Sequence, residues 1–406
     1  MKNIDTGVSK SRQENTKIII NYIRLNGPVS RTDIFANTPI SKATVTRIVE
    51  ELVKDDIVVE VGVENTEIGR KPVYLKINPK AYCCIGIDLK RRSIKVAAFD
   101  LDRNVLCKSK ESLKYITTEQ ELLQAIQKVI NSILETMHLN KDKIIGIGIG
   151  APGIVDFKEG ILVNFNKKHR LVNIKLKQFL ENKFNIPVYI DNNPNTKVLG
   201  EYWHRNRSNY ESIVYVVCND GIGSGIIVDG HVLRGKNNSA GEIGHVKVII
   251  DGKQCGCGKC GCLEAYCSTD EIEKEVIGEL EKGNKSLVTD YIGQQFEKIT
   301  YELISKCTGL GDEVCSRVID KAQKILGISI SNIINLINPD IIILAGEFFE
   351  YDRRSVENVK NYAMKEVLID SVGDDIQFIH RKLEDEFNEI GAATLVYNTI
   401  FSNKAH

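Results

Sequence analysis

Four cysteines lie within eight residues of the chain, in the sequence CGCGKCGC at positions 255–262. Three glycines separate them and let the backbone curl tightly, so that several thiolates can converge on one ion. A tetrahedral zinc site takes four nitrogen or sulfur ligands, and a histidine ten residues upstream can supply an imidazole. The stretch therefore predicts a structural zinc site, whose four ligands would be His245, Cys255, Cys257 and Cys262.

Two other interpretations of this stretch remain open. Closely spaced thiols can form a disulfide under oxidising conditions, which would make the stretch a redox switch. The same thiols could also pack as small hydrophobic side chains without any metal. The glycine spacing and the upstream histidine agree with each other, and together they favour zinc.

The composition is that of an ordinary globular protein and argues against several classes. The 406 residues include 54 Lys and Arg and 54 Asp and Glu, so no overall charge indicates a nucleic-acid or membrane partner. No apolar run approaches the roughly 20 residues of a membrane span, and the N-terminus is polar. These features predict a cytoplasmic protein with no membrane partner. In that compartment the seven other cysteines are expected to be reduced and buried.

The first 80 residues have the pattern of a helix-turn-helix. Apolar residues at helical spacing stop at Gly27, which ends a first helix. Ser30 and Asp33 form a capping-box pattern that begins a second helix. After a short turn, Ser41 begins a third helix. Three helices with a tight turn between the last two predict a DNA-binding unit.

The third helix is predicted to read DNA. Its apolar residues recur at positions 45, 48, 49 and 52, which leaves a polar face towards solvent. That face suits base edges and phosphates in a major groove, and Arg47 is the best candidate for reading guanine. The alternative is an ordinary solvated helix face. The predicted contacts on this helix are Ser41, Lys42, Thr44 and Arg47.

A two-stranded wing is predicted directly after the third helix. Residues 57–78 alternate between apolar and polar types and turn once, as a hairpin does. Within this stretch, GRKP at positions 69–72 places a basic pair between glycine and proline. A stiff and narrow basic segment can enter a minor groove. The predicted DNA contacts of the wing are Gly69, Arg70 and Lys71.

From Tyr82 onward the chain reads as glycine-punctuated α/β structure. Two stretches, beginning near residues 82 and 212, each show an apolar strand, a turn, a second apolar strand and a third. Their separation of about 130 residues indicates a duplicated α/β lobe. We therefore expect two lobes with a cleft between them, formed near residues 190–265.

Four segments resemble the ROK family (repressors, open reading frames and sugar kinases), in its repressor branch with xylose- and N-acetylglucosamine-type regulators. They are AGEIGHV, CGCGKCGCLE, IGIGAPGIVD and INLINPDIIILAG. The resemblance covers nearly the whole chain. It implies a two-lobed actin-like, ribonuclease-H-like fold, a structural zinc ion, a sugar pocket between the lobes, and a homodimer or homotetramer assembled through the C-terminal domain.

The resemblance also implies roles for individual residues. It gives the same four zinc ligands as the spacing does, and it leaves Cys260 at a variable position. Carboxylates held beside a rigid metal site can accept hydrogen bonds from sugar hydroxyls. The alternative is that Glu242 and Glu264 are ordinary solvated surface acids. The histidine would bridge metal and sugar. The implied sugar contacts are Asn192, Asn193, Glu242, His245 and Glu264.

Three departures from the kinase branch predict that phosphoryl transfer is lost. The first glycine-rich turn keeps Asp88 but carries Lys-Arg-Arg at 90–92, whose side chains would crowd a phosphate cradle. The second turn places Asp220 where the kinases have Thr or Ser. Asn193 takes the position of the general base, and an amide cannot accept a proton from a hydroxyl. No catalytic residue is therefore predicted.

Together these features predict a winged helix-turn-helix (α+β) domain over residues 1–80 and a ROK domain over residues 81–406. The expected function is a sugar-responsive transcriptional regulator, in particular a repressor, that binds double-stranded operator DNA as a dimer. Two alternatives remain. One is a ROK sugar kinase with a DNA-binding domain, and the other is a regulator whose ROK domain only oligomerises or docks a protein partner.

Overall fold

A computed structural model describes residues 10–62, 73–113, 116–137, 141–166, 171–205, 210–352, 354–368, 376–382 and 387–401. The chain divides into two compact units. Unit 1 comprises residues 1–196 and 387–406, and unit 2 comprises residues 197–386. Among the described residues, no helix combines the length and the apolar character that a membrane crossing requires.

The N-terminal segment of unit 1 contains three helices and a small antiparallel sheet. The side chain of Ser30 accepts from the N–H of Asp33 and the side chain of Asp33 accepts from the N–H of Ser30, which completes the expected capping box. The side chain of Ser41 accepts a hydrogen bond from the N–H of Thr44. The capping predictions at Ser30 and Ser41 are thus confirmed. The elements are α1 (Lys10–Asn26), β1 (Val29–Ser30), α2 (Arg31–Asn37), α3 (Lys42–Lys54), β2 (Val58–Val61) and β3 (Tyr74–Ile77).

The main sheet of unit 1 has five strands in the order β11-β7-β4-β5-β6. Apolar residues dominate its central strands because both faces are covered, which is typical of a buried sheet. A second, three-stranded sheet is formed by β8, β9 and β10. The elements are β4 (Cys83–Leu89), β5 (Ser93–Asp100), β6 (Val105–Ser112), α4 (Glu119–Met137), β7 (Ile144–Ala151), β8 (Ile154–Asp156), β9 (Ile161–Asn166), β10 (Leu171–Ile174), α5 (Leu176–Phe184) and β11 (Val188–Asn192). The next helix, α6 (Asn193–Arg205), begins in unit 1 and ends in unit 2.

The last helix of the chain, α14 (Phe387–Phe401), packs against the main sheet of unit 1. Glycines make this approach possible, because a Cβ at Gly86 would lie 2.0 Å from the carbonyl oxygen of Glu389. A Cβ at Gly148 would lie 1.9 Å from the carbonyl oxygen of Ala392. The helix also contacts α1. The N-terminal segment is therefore packed on the C-terminal helix.

Unit 2 is built on a five-stranded sheet in the order β14-β13-β12-β15-β16. Its long helix α11 is capped by the side chain of Asp312, which accepts a hydrogen bond from the N–H of Cys315. The elements are β12 (Ile213–Cys218), β13 (Ile222–Val228), β14 (His231–Val232), α7 (Glu264–Cys267), α8 (Thr269–Glu281), α9 (Val288–Ile292), α10 (Tyr301–Gly309), α11 (Glu313–Ile337), β15 (Ile341–Ala345), α12 (Glu347–Glu350), α13 (Ser355–Met364) and β16 (Gln377–Arg381).

The two five-stranded sheets share one topology. In each, the first strand pairs antiparallel with the second on one side and parallel with the fourth on the other. The third strand lies at one edge and the fifth at the other. The predicted duplication of an α/β lobe is thus confirmed, and its sequence signal was the repeated pattern of apolar strand, turn and apolar strand.

Candidate metal and ligand site

The cysteine stretch of unit 2 folds into a tight hairpin. The N–H of Cys255 donates to the carbonyl of Lys259 at 2.7 Å, and the N–H of Gly258 donates to the carbonyl of Cys255 at 2.8 Å. Two of its glycines are required by geometry. Gly258 has a φ of +87°, and a Cβ at Gly261 would lie 1.8 Å from the carbonyl oxygen of Ile249. The glycines therefore let the thiols approach one another, as the sequence predicts.

The hairpin brings four candidate ligands together. One atom from each residue lies within 4.8 Å of the others, and the set is His245, Cys255, Cys257 and Cys262. In a tetrahedron with Zn–S bonds of about 2.3 Å, two sulfurs lie about 3.8 Å apart. Sγ of Cys257 lies 3.8 Å from Sγ of Cys262, and Sγ of Cys255 lies 3.8 Å from Nδ1 of His245. The donor set and its spacing fit a tetrahedral metal ion.

The imidazole reaches this cluster from a short 3-10 turn, Ile243–His245. Gly241 clips the preceding loop to β13, because its carbonyl accepts a hydrogen bond from the N–H of Ser224 at 3.0 Å. Gly241 also has a φ of +86°, and a Cβ there would lie 2.4 Å from the carbonyl oxygen of Ser224. His245 is therefore positioned by the sheet, and its Nδ1 faces the thiols.

The pKa values of two thiols of the hairpin are shifted in opposite directions. Burial raises the pKa of the Cys255 thiol to about 12. The backbone N–H of Lys259 lowers the pKa of the exposed Cys257 thiol, and Lys247 adds to the effect. The Nζ of Lys247 lies 3.6 Å from Sγ of Cys262 and also donates to the carbonyl of Cys260. A cation thus lies beside the thiols. It cannot be recognised from the sequence, because a single lysine carries no distinctive pattern.

Glu264 connects the hairpin to the sheet of unit 2. Its Oε2 accepts a hydrogen bond from the N–H of Ile222 at 3.0 Å, and its Oε1 lies 3.8 Å from Sγ of Cys255. Gly221 makes room for this carboxylate, since a Cβ there would lie 3.0 Å from Oε2. The sequence gives no sign of this anchor, because a backbone N–H has no signature there.

The second candidate carboxylate, Glu242, is half-buried in unit 2. Burial raises its pKa, His245 acts in the opposite direction, and Glu264 raises it further. Glu264 thus favours the protonated form of Glu242. Neither is a fully exposed surface acid, because Glu264 is also half-buried.

Asn192 and Asn193 lie in unit 1, where both make internal hydrogen bonds. The side-chain oxygen of Asn192 accepts from the N–H of Asn195 at 3.0 Å, which caps α6. Nδ2 of Asn193 donates to the carbonyl of Leu89 at 2.9 Å. Leu89 ends β4, directly before the Lys-Arg-Arg turn. Asn193, which is predicted to take the general-base position, is therefore joined by one hydrogen bond to the strand end that precedes the first turn.

The two turns that correspond to the predicted phosphate turns differ in their surroundings. In unit 1, Asp88 is buried, and Nζ of Lys90 lies 3.6 Å from its Oδ2. In unit 2, the side-chain oxygen of Asn219 accepts a hydrogen bond from the N–H of Glu347 at 2.8 Å. The first turn thus holds an ion pair between two of its own side chains, whereas Asn219, which directly precedes the second turn, is bonded to the backbone of Glu347.

The candidate DNA face of α3 is partly engaged in capping. Lys42 and Arg47 are exposed, whereas the hydroxyls of Ser41 and Thr44 lie 2.9 Å apart in a hydrogen bond. Glu51, an acidic residue of the same helix, is paired with Arg12 of α1. The wing residues Gly69, Arg70 and Lys71 lie outside the described residues.

The repeated five-stranded sheet defines an actin-like α/β protein. Unit 2, which contains the second copy of the sheet, also holds the candidate metal site of one histidine and three cysteines. The chain belongs to the ROK family, which it matches over residues 84–399. The predicted family is thereby confirmed. The match leaves out the three helices and the small sheet of the N-terminal segment.

Two relatives of known function are similar along most of the chain. A xylose repressor of Caldicellulosiruptor bescii is 32% identical over 360 residues, which cover 86% of this chain and 89% of the repressor. The DNA-binding transcriptional dual regulator NagC of Escherichia coli K12 is 29% identical, and the alignment covers 84% of this chain and 82% of NagC. The similarity to regulators thus extends over more than four-fifths of the chain.

Solved structures distinguish two groups of neighbours. A ROK family transcriptional regulator, homologous to the E. coli MLC protein, has a TM-score of 0.84 at 25% identity and covers 97% of both chains. A ROK family glucokinase of Streptomyces griseus, solved with glucose and AMPPNP, has a TM-score of 0.66 at 23% identity. It covers 77% of this chain and 98% of its own. The likeness to the glucokinase concerns the fold alone.

Proposed function

We propose that this protein is a sugar-responsive, DNA-binding transcriptional regulator of the repressor type, with a zinc-braced sugar site and no kinase activity. One observation carries the proposal. The regulator structure matches 97% of the chain, N-terminal segment included, whereas the glucokinase structure matches 77%. The segment that extends beyond the ROK family match is the part that a DNA-binding function requires.

The order of elements in this segment supports a winged helix. Helix, short strand, two helices and a two-stranded hairpin follow one another along residues 10–77. In such a domain the last helix enters the major groove. Lys42 and Arg47 project from α3 into solvent, so they are free to contact phosphate and base. We assign residues 1–80 to operator binding and residues 81–406 to the ROK domain.

The cysteine cluster supports a structural zinc ion with four protein ligands and no open position. Such an ion would hold the segment from Glu242 to Glu264 in a fixed conformation. Nδ1 of His245 faces the thiols, which leaves Nε2 for a sugar hydroxyl. Glu242 and Glu264 would accept hydrogen bonds from adjacent hydroxyls, and Asn192 and Asn193 stay predicted contacts from unit 1.

The loss of phosphoryl transfer is supported by two contacts in unit 1. Asn193 carries an amide, which is too weakly basic to take a proton from a hydroxyl, and its Nδ2 is engaged with the carbonyl of Leu89. The ammonium group of Lys90 lies against Asp88 in the first turn. Both features oppose the phosphate binding and the activation of a sugar hydroxyl that a kinase needs.

Regulation would follow from linkage between sugar and DNA. A sugar that binds one arrangement of a homodimer or homotetramer better than another shifts the population towards that arrangement. The shift would change the spacing or angle of the paired DNA-binding domains on a palindromic operator. The protein would act in the cytoplasm, where operator and sugar meet.

A two-part experiment tests the proposal. Selection from a random duplex library would yield an operator, and fluorescence anisotropy would measure its affinity at fixed salt. A thermal-shift screen of zinc-loaded protein against aldoses, amino sugars and their phosphates would identify the effector. At 100 times its dissociation constant, a sugar should add roughly 2.7 kcal/mol of stability.

The expected result is a palindromic operator whose affinity changes when one sugar of the panel is added. ATP-dependent phosphorylation of any panel sugar would overturn the proposal in favour of a kinase. Operator binding without any sugar response would instead favour a domain that oligomerises or docks a protein.

A further inference from the structure

Cys260 is the one cysteine of the hairpin that does not belong to the four-ligand cluster. Both Cys260 and the ligand Cys257 are exposed, whereas Cys255 and Cys262 are buried. Two residues separate Cys257 from Cys260, which gives the C-x-x-C spacing of reactive dithiols. The hairpin thus presents a pair of exposed thiols, one of which is a candidate metal ligand.

The backbone around this pair has room to move. Gly256 and Gly258 flank Cys257, and a Cβ at either glycine would meet no atom within 4 Å. The base of the hairpin is held by a bridge between Gln254 and Cys260. The two glycines beside Cys257 therefore face open space, and the tip is not packed against neighbouring side chains there.

We propose that Cys257 and Cys260 form a reversible disulfide when the protein meets a peroxide, and that this disulfide removes one ligand from the zinc site. The inference rests on the proposed structural zinc. Cys257 is the ligand at risk because it is exposed, whereas the other two cysteine ligands are shielded from solvent.

The chemistry balances with the peroxide as the only oxidant. The thiolate of Cys257 attacks hydrogen peroxide, the O–O bond breaks, and the departing hydroxide takes up a proton as water. The resulting sulfenic acid is attacked by the sulfur of Cys260, the S–O bond breaks, and a second water leaves with the thiol proton. Two thiols and one peroxide thus become one disulfide and two waters.

Oxidation would act on the proposed sugar site through the hairpin. Three ligands remain on the ion after Cys257 is withdrawn, which is one fewer than a structural zinc site requires. His245 is among them, and Glu264 lies 3.8 Å from the ligand Cys255. Loss of zinc would therefore free both residues that the hairpin positions.

The test uses the full-length, zinc-loaded protein and a series of hydrogen peroxide concentrations. Zinc release is followed with a chromogenic chelator, and the products are identified by intact mass and peptide mapping. The wild-type protein should lose its zinc together with about two mass units, and the link should map to Cys257 and Cys260. Reductant and zinc should then restore both the original mass and the metal content.

Two variants make the outcome decisive. Cys260→Ser keeps all four ligands, so it should bind zinc normally, yet peroxide should leave a sulfenic or sulfinic acid on Cys257 in place of a disulfide. Cys107→Ser, in unit 1, is the matched control and should behave as the wild type. A disulfide that maps elsewhere, or identical products from Cys260→Ser and wild type, would overturn the inference. A wild-type protein that holds no zinc before oxidation would overturn the proposed metal site and this inference with it.

Discussion

The backbone N–H of Ile222 donates a hydrogen bond of 3.0 Å to Oε2 of Glu264. Ile222 begins β13, whereas Glu264 begins α7 two residues after the candidate ligand Cys262. This bond joins the sheet of unit 2 to the cysteine hairpin. The carboxylate is therefore held on both sides, and its orientation depends on the sheet as well as on the hairpin.

Glu264→Gln and Glu264→Ala should separate anchoring from sugar recognition. The glutamine oxygen can still accept from Ile222, so its stability should stay near that of the wild type while the sugar-induced thermal shift falls. The alanine variant leaves that N–H unpaired, which costs about 1–3 kcal/mol, and should lose the shift entirely. Differential scanning fluorimetry with the effector sugar measures both quantities. Glu281→Ala, at the exposed end of α8, is the control. A full sugar shift in Glu264→Ala would contradict the proposed contact.

Cys262→Ser should abolish metal binding. Its side chain is buried in the cluster, and a serine hydroxyl is a poor zinc ligand, so zinc per chain should fall from about one to near zero. The apparent melting temperature should fall as well, since the free energy of binding stabilises the hairpin. Elemental analysis after dialysis gives the metal content. Retention of a full equivalent of zinc by this variant would show that another residue completes the site.

Local signals accounted for much of what the sequence predicted correctly. Ser30 with Asp33 and Ser41 with Thr44 form helix caps, and in each cap the two partners are only three residues apart in the sequence. The cysteine cluster is equally local, because most of its ligands lie on one hairpin. The duplicated sheet was also predictable from local signals, because each copy begins with an apolar strand, a turn and a second apolar strand that follow one another directly.

Contacts between distant parts of the chain could not be predicted in this way. The amide of Asn193 meets the carbonyl of Leu89 across 104 residues, and either residue alone gives no hint of the other. Asn192 carries a polar amide that could bind a ligand, yet its side-chain oxygen caps α6. Residue type suggested a role in binding, but the local backbone determined the hydrogen bonds.

Acid should weaken unit 2 through Asp312. Its Oδ1 accepts from the N–H of Cys315 at 2.8 Å and its Oδ2 from the N–H of Leu287 at 2.6 Å. Burial acts to raise its pKa, but these donors outweigh burial and hold the pKa below the usual range. The resulting stability is present above the unfolded pKa of about 3.9 and is lost as the pH falls through the folded value.

Asp312→Asn should reduce the acid dependence of the free energy of unfolding, because the amide carries no titratable proton. Urea unfolding between pH 2 and pH 6, in steps of about half a unit, measures this dependence. Asp290→Asn changes an exposed acid of α9 and should leave the wild-type profile intact. An unchanged acid profile in Asp312→Asn would show that other groups control stability in this range.

Arg47→Ala should weaken operator binding by about 1–3 kcal/mol and relax the preference at one base pair. Arg47 is exposed on the polar face of α3, opposite the buried side chains that hold the helix in place. Lys54→Ala, in the last turn of the same helix, is the control. Anisotropy titrations against the operator and its single-base variants check the prediction, and equal affinities for Arg47→Ala and Lys54→Ala would contradict it.

Asn193→Asp should destabilise unit 1 and should not create a kinase. The substitution removes the donor to Leu89 and places a carboxylate oxygen against that carbonyl. The position packs on Gly150, which pairs with the buried Asp88, so the new charge would also lie near an existing one. We expect a loss of about 1–3 kcal/mol in urea unfolding and no ATP-dependent sugar phosphorylation. Asn193→Ala removes the same hydrogen bond without adding charge, so it should lose less stability at neutral pH. If the aspartate variant were more stable than the wild type, the hydrogen bond between Asn193 and Leu89 would not stabilise unit 1. If it phosphorylated any sugar, the proposed loss of kinase activity would rest on this one residue.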